Sequence, residues 1–137
     1  MIAGPHSILL DAEALSCLAH ADRRIAAWLV VARQTDSTLH VCAVTLAETT
    51  DGSARDVKVR RAANAVNIEA VTEDVGYSAG RLRACAAGVR RKPRDLTVDA
   101  VVAATALTLP APVVVLTSDT DDIEMLLTGT AVRVMKI

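Results

Sequence analysis

Four acids stand at the ends of apolar runs in this chain. Asp11 follows Ile8-Leu9-Leu10, and Glu48 closes Val44-Thr45-Leu46-Ala47-Glu48. Asp99 lies inside Val98-Asp99-Ala100-Val101-Val102, and Asp119 follows Val113-Val114-Val115-Leu116-Thr117-Ser118. A small α/β domain gathers the carboxyl ends of its parallel strands at one edge. Acids collected there repel one another unless a cation sits among them. Carboxylate oxygens suit the hard ions Mg²⁺ and Mn²⁺. Such an ion polarises a phosphate oxygen and activates water, which is a means of breaking phosphodiesters.

Each acid also has a plainer reading. Asp11 is well placed to cap a helix starting at Ala12. Thr45-x-x-Glu48 fits a capping box. Asp119 repeats the Asp11 arrangement but, with Asp121 and Asp122, also fits a solvated acidic turn. Asp99 is harder to explain away. Its helix is apolar nearly all round, hence buried, and Asp95 four residues earlier is a neighbour on the same face if the helix starts early. His6, His20 and His40 lie outside these motifs and read as surface or packing residues. No Ser-His-Asp or Cys-His arrangement is visible.

The elements that must position these acids alternate. Strands are expected over 7–10, 39–44, 67–71, 113–116 and 131–135. Helices are expected over 12–20, 22–33, from Thr45, 54–65, from Thr72 to about Ala87, 97–109 and 120–127. Thr72 is a natural N-cap, Asp51-Gly52-Ser53 a break, and Gly88 a stop. Strands separated by helices imply a parallel sheet covered on both faces.

With 137 residues, the chain is expected to form one domain spanning 1–137. Its 52% hydrophobic content excludes disorder. Trp28 and Tyr77 are the only aromatic rings, too few for a stacking platform for single strands. The net charge of -1 means that any nucleic-acid contact must use local patches. Two exist: Arg55, Lys58, Arg60 and Arg61, and then Arg90, Arg91, Lys92 and Arg94. Both also read as solvated faces. Cys17, Cys42 and Cys85 sit among apolar neighbours without paired spacing, so buried thiols are expected and a zinc site is not. No basic leader precedes the first apolar run, and none of the runs approaches the ~20 residues of a membrane span. A cytoplasmic location is expected.

Leu9-Leu10-Asp11-Ala12-x-Ala14-Leu15, Val44-Thr45-Leu46-Ala47-Glu48, Val98-Asp99-Ala100-Val101-Val102-Ala103-Ala104-Thr105-Ala106 and Leu116-Thr117-Ser118-Asp119-x-Asp121-Asp122 occur in that order. The set resembles the PIN domain, specifically VapC-type toxins of toxin–antitoxin pairs, over essentially the whole chain. The resemblance implies a three-layer α/β fold with a central, mostly parallel sheet flanked by helices. It implies a Mg²⁺- or Mn²⁺-dependent endoribonuclease whose four acids are Asp11, Glu48, Asp99 and Asp119, with Asp11, Asp99 and Asp119 on the metal. Thr117 or Ser118 would support the site, and Asp122 would be an accessory acid. Arg55, Lys58, Arg90, Arg91 and Lys92 are then expected to hold the RNA. A homodimer and a small antitoxin whose tail blocks the acidic groove are implied as well. Glu13 departs from the family pattern and places a further charge beside Asp11.

Two rival classes share parts of this pattern. A haloacid-dehalogenase-like phosphatase needs a second Asp two residues after the first, where Glu13 stands. A response-regulator receiver needs a lysine after a strand, whereas Lys92-Pro93 precedes a helix. A catalytically silent PIN-like module that only binds RNA or a partner is the remaining alternative.

Overall fold

The computed structural model describes residues 4–88 and 95–137. The elements run β1 (Ser7–Leu10), α1 (Ala12–Ala19), α2 (Arg23–Thr35), β2 (Thr38–Cys42), α3 (Ala43–Thr49), α4 (Asp56–Asn64), β3 (Asn67–Glu69), α5 (Glu73–Ala87), α6 (Thr97–Ala106), β4 (Val113–Thr117), α7 (Thr120–Leu126) and β5 (Arg133–Lys136). The five strands form one sheet in the order β3-β2-β1-β4-β5, and every pairing is parallel.

The sheet is covered on both faces, as expected for a parallel sheet. Successive strand residues point to opposite sides. Ile8, Leu10, Val41, Val114 and Leu116 pack with Leu15, Ile25, Ala32, Val59 and Ala62 of α1, α2 and α4. Leu9, Cys42, Val113 and Val115 pack with Val75, Ala79, Ala103, Ile123 and Leu126 of α5, α6 and α7. The result is three layers with β1 at the centre.

Several boundaries differ from the sequence expectation. Strand β2 ends at Cys42, and the chain passes straight into α3 at Ala43. Thr45 therefore lies inside the helix, and the expected capping box does not form. The apolar run after Thr97 leaves the α-helix at Ala106, because Thr108 and Leu109 donate to carbonyls only three residues back. Strand β3 stops at Glu69 rather than at Val71. Gly88 does end α5, but with right-handed φ of −73°. Cys17 and Cys42 are buried as expected, whereas Cys85 is exposed, off the apolar stripe of α5.

The strand order sets the position of any site. From β1 the chain fills β2 and β3 on one side, then crosses to β4 and β5 on the other. The crevice beyond the carboxyl ends of β1 and β4 is the topological switch point, where open α/β sheets bind ligands.

Candidate active site at the carboxyl edge of the sheet

Asp11 and Asp119 flank that switch point. Leu10 pairs with Leu116, so the residues that follow β1 and β4 leave the sheet side by side. The Asp11 backbone N–H donates to the Leu116 carbonyl at 3.1 Å, extending the ladder by one bond. The Asp11 carboxylate accepts the Ala14 N–H at 2.9 Å and so caps α1. It also accepts from the Ser118 backbone and the Thr117 hydroxyl. Burial outweighs these bonds and pushes the Asp11 carboxyl above the ordinary carboxylate range. A half-buried anion in that position gains from a nearby cation.

Thr117 is the connector. It is buried, and its Oγ1 accepts the Asp119 N–H at 3.1 Å and lies 3.1 Å from the Asp119 carbonyl. One hydroxyl proton can serve either that carbonyl or the Asp11 carboxylate. Either way Thr117 ties the two acid-bearing turns together. Ser118 contributes its backbone, and its side chain is exposed. Asp119 occupies the N-cap position of α7 without making a side-chain cap bond, so the capping reading does not account for it. Asp122 lies in the first turn of α7 and is half-buried.

Glu48 and Asp99 arrive on helices. Helix α3 leaves the carboxyl end of β2 and lies against α1 and α6. Glu48 is exposed near its end, and its capping reading falls with the capping box. Asp99 is half-buried in the first turn of α6. Asp95 does not share its face. It precedes the helix, where its Oδ1 accepts the Thr97 N–H at 2.9 Å and the Thr97 hydroxyl at 2.5 Å. Those bonds hold the Asp95 carboxyl below the usual range. Asp95 thus bonds the first residue of α6.

Asp11 and Asp119 thus follow two neighbouring strands, and Glu48 and Asp99 stand on α3 and α6, which pack against each other. Their chemistry, oxygen donors throughout, suits a hard divalent cation. They do not form a finished cage: among the described residues, no three His, Cys, Asp or Glu side chains are grouped so as to hold a metal ion.

A groove of about 520 Å³ runs beside this edge and is lined by Glu13, Ser16, His20, Glu48, Asp51 and Arg55 among others. Arg55 is exposed, and its Nη2 lies 3.2 Å from Asp51 Oδ2. Lys58, Arg60 and Arg61 are exposed on α4. Arg90, Arg91, Lys92 and Arg94 lie outside the described residues.

Three features of the groove escape the sequence reading. Glu13 Oε1 is bridged at 2.9 Å by Arg24 Nη2, which offsets much of its charge beside Asp11. No local spacing announces a pair eleven residues apart. Asp56 is buried and accepts the Asp51 and Gly52 N–H groups at 3.1 and 2.8 Å, fixing the turn that presents Arg55. The Asp51-Gly52 break was the available signal for that turn. His20 lines the groove, and its Nδ1 donates to the Ser16 carbonyl at 2.8 Å. His40 is a packing residue, as expected, held between Thr38 Oγ1 and Glu69 Oε1 at 2.7 and 2.8 Å.

No family model and no curated protein matches this sequence. Solved structures do match. A chain of the FitAB complex bound to an IR36 DNA fragment superposes with a TM-score of 0.66 at 22% identity, covering 94% of both chains. A chain of VapBC2 from Rickettsia felis, bound to a DNA fragment from its promoter, gives 0.73 at 11% identity over 96% of this chain and 98% of that one. DNA-bound VapBC from Salmonella typhimurium gives 0.65 at 16% identity, with 95% and 97% covered. At these identities the likeness is one of fold, and it runs end to end. The chain has the PIN-type fold that its motifs resemble.

Proposed function

We propose that this chain is a Mg²⁺- or Mn²⁺-dependent endoribonuclease, the toxin of a type II toxin–antitoxin pair acting in the cytoplasm. The observation that carries the reading is the switch point itself. Asp11 follows β1 and Asp119 follows the adjacent β4 there, Thr117 bonds the Asp119 backbone, and burial destabilises the Asp11 carboxylate. Asp11, Asp99 and Asp119 would hold the ion, with Glu48 completing the acidic set and Asp122 nearby. The ion would supply phosphate polarisation and an activated water. The protein's own residues do the rest. Thr117 and the Ser118 backbone fix Asp11, and Asp95 anchors the start of the helix that carries Asp99. Arg55 lines the same groove as Glu48, where a phosphate could be held. A homodimer and a small antitoxin that covers the acidic groove complete the proposal. Described residues contain no helix long and apolar enough to cross a membrane.

The deciding experiment incubates purified protein with a structured RNA, with Mg²⁺, Mn²⁺ or chelator. Cleavage with either ion and none with chelator is expected, and sequencing the new ends gives the site chosen. A catalytically silent binding module is the second reading, favoured by the lack of a three-acid cluster among the described residues. That module would bind RNA or antitoxin without cleavage and without metal-dependent thermal stabilisation.

Arg55 carries a separate expectation. Phosphate contacts position a strand without reading its bases. Arg55→Ala should therefore weaken binding of a non-cleavable RNA and flatten the log–log salt dependence by about one unit, with the cleavage site unchanged. An unaltered slope would mean that Arg55 only pairs with Asp51.

A further inference from the structure

Beneath the acidic edge lies a hydroxyl that the fold leaves unserved. Thr45 is fully buried, and among the described residues its Oγ1 is the buried side-chain polar atom without a hydrogen-bond partner. Helical threonines usually donate to the carbonyl four residues back. In this chain Thr49, Thr50 and Thr105 do so, at 2.9, 2.6 and 2.8 Å. Thr45 stands differently. It is the third residue of α3, and the residue four positions back, Val41, belongs to β2 and is paired on both sides within the sheet.

A buried hydroxyl without a partner is unfavourable, and a valine of the same shape would avoid the cost. A buried water relieves it where other polar groups stand close. Thr45 stands on the helix that carries Glu48. It precedes Glu48 by three residues, so the two share a side of α3. Helix α3 packs against α1, capped by Asp11, and α6, whose first turn holds Asp99.

We propose that Thr45 is a positioning residue of the acidic edge, its hydroxyl holding a buried water that hydrogen-bonds the surrounding carboxylates and sets their rotamers for a cation. The final clause rests on the metal-dependent reading above, and the water itself does not.

Two arms test this. A high-resolution crystal structure of chelator-treated protein should show a water within hydrogen-bonding distance of Thr45 Oγ1 and of a carboxylate of Asp11, Glu48 or Asp99. A Thr45 hydroxyl turned to a main-chain carbonyl, with no water, overturns the proposal. In solution, Thr45→Val and Thr45→Ser are compared with the parent by melting across a Mg²⁺ titration. Thr45→Val should need about tenfold more Mg²⁺ for half of the thermal shift, the usual cost of losing an outer-shell partner. Thr45→Ser, which keeps the hydroxyl, should titrate like the parent. Equal Mg²⁺ midpoints for all three overturn the positioning role. A parent with no Mg²⁺-dependent shift overturns the metal reading itself, and the crystal arm then decides the water alone.

Discussion

Asp11→Asn is expected to cut RNA cleavage by more than about a hundredfold while raising the melting temperature of the metal-free protein at neutral pH. The first half follows from ligand chemistry. Losing an outer-shell partner costs about 10–100-fold in metal affinity or activity, so losing a charged ligand costs at least as much. The second half follows from burial, which raises the folded-state pKa of Asp11 above its unfolded value. A group raised in this way binds its proton more tightly when folded. Its favourable contribution is complete below the unfolded value of about 3.9 and is lost as pH rises through the folded value. At neutral pH the native protein carries a half-buried anion that asparagine removes. The advantage of the variant should therefore shrink as pH falls through the folded pKa. Asparagine keeps the cap on Ala14, whereas alanine would lose it at about 1 kcal/mol and hide the effect. Melting curves with chelator across an acidic-to-neutral pH series check the sign. A variant that melts lower throughout would make Asp11 a structural cap first.

The central strands were legible because burial on both faces demands unbroken aliphatic runs. Ser7–Leu10 and Val113–Thr117 are wholly buried, and both runs stand out in the chain. The β2–α3 junction was not legible. The Thr45-x-x-Glu48 spacing imitates a capping box, but the helix begins at Ala43 from an N-cap position, Cys42, that makes no side-chain bond. Packing of α3 across the sheet edge starts the helix earlier than the cap signal does. The tail of α6 misleads in the other direction. Leu107 to Leu109 continue the apolar pattern, yet tight turns carry them toward Pro110 and Pro112, and Leu109 still reaches the core.

For the site, repetition was the readable signal. Asp11 and Asp119 each follow a buried strand, and those two strands are neighbours in the sheet. The supporting bonds could not be read. Thr117 holds the Asp119 backbone, and Ser118 serves through its N–H rather than its hydroxyl, which no residue type reveals. The same holds for Arg24 over Glu13, a contact made by two helices crossing.

The companion expectation concerns Asp99. Its replacement by asparagine should abolish cleavage and the Mg²⁺-induced rise in melting temperature, while leaving metal-free stability equal or higher. Asp99 lies in the first turn of α6, where the helix dipole favours a negative charge. That gain is at most about 1 kcal/mol, and asparagine forgoes it. Against it stands the cost of a half-buried charge, which asparagine also removes. Asp95 bonds the Thr97 N–H and hydroxyl at the start of α6 whether or not Asp99 is charged. The two effects thus nearly cancel without metal, and the difference appears only when a cation is present. Chelator and Mg²⁺ melting curves, with cleavage assays on the same samples, separate the cases. Loss of about 3–5 kcal/mol on Asp99→Asn without metal would mark a buried pair broken on one side, and Asp99 would then belong to the scaffold rather than to the metal.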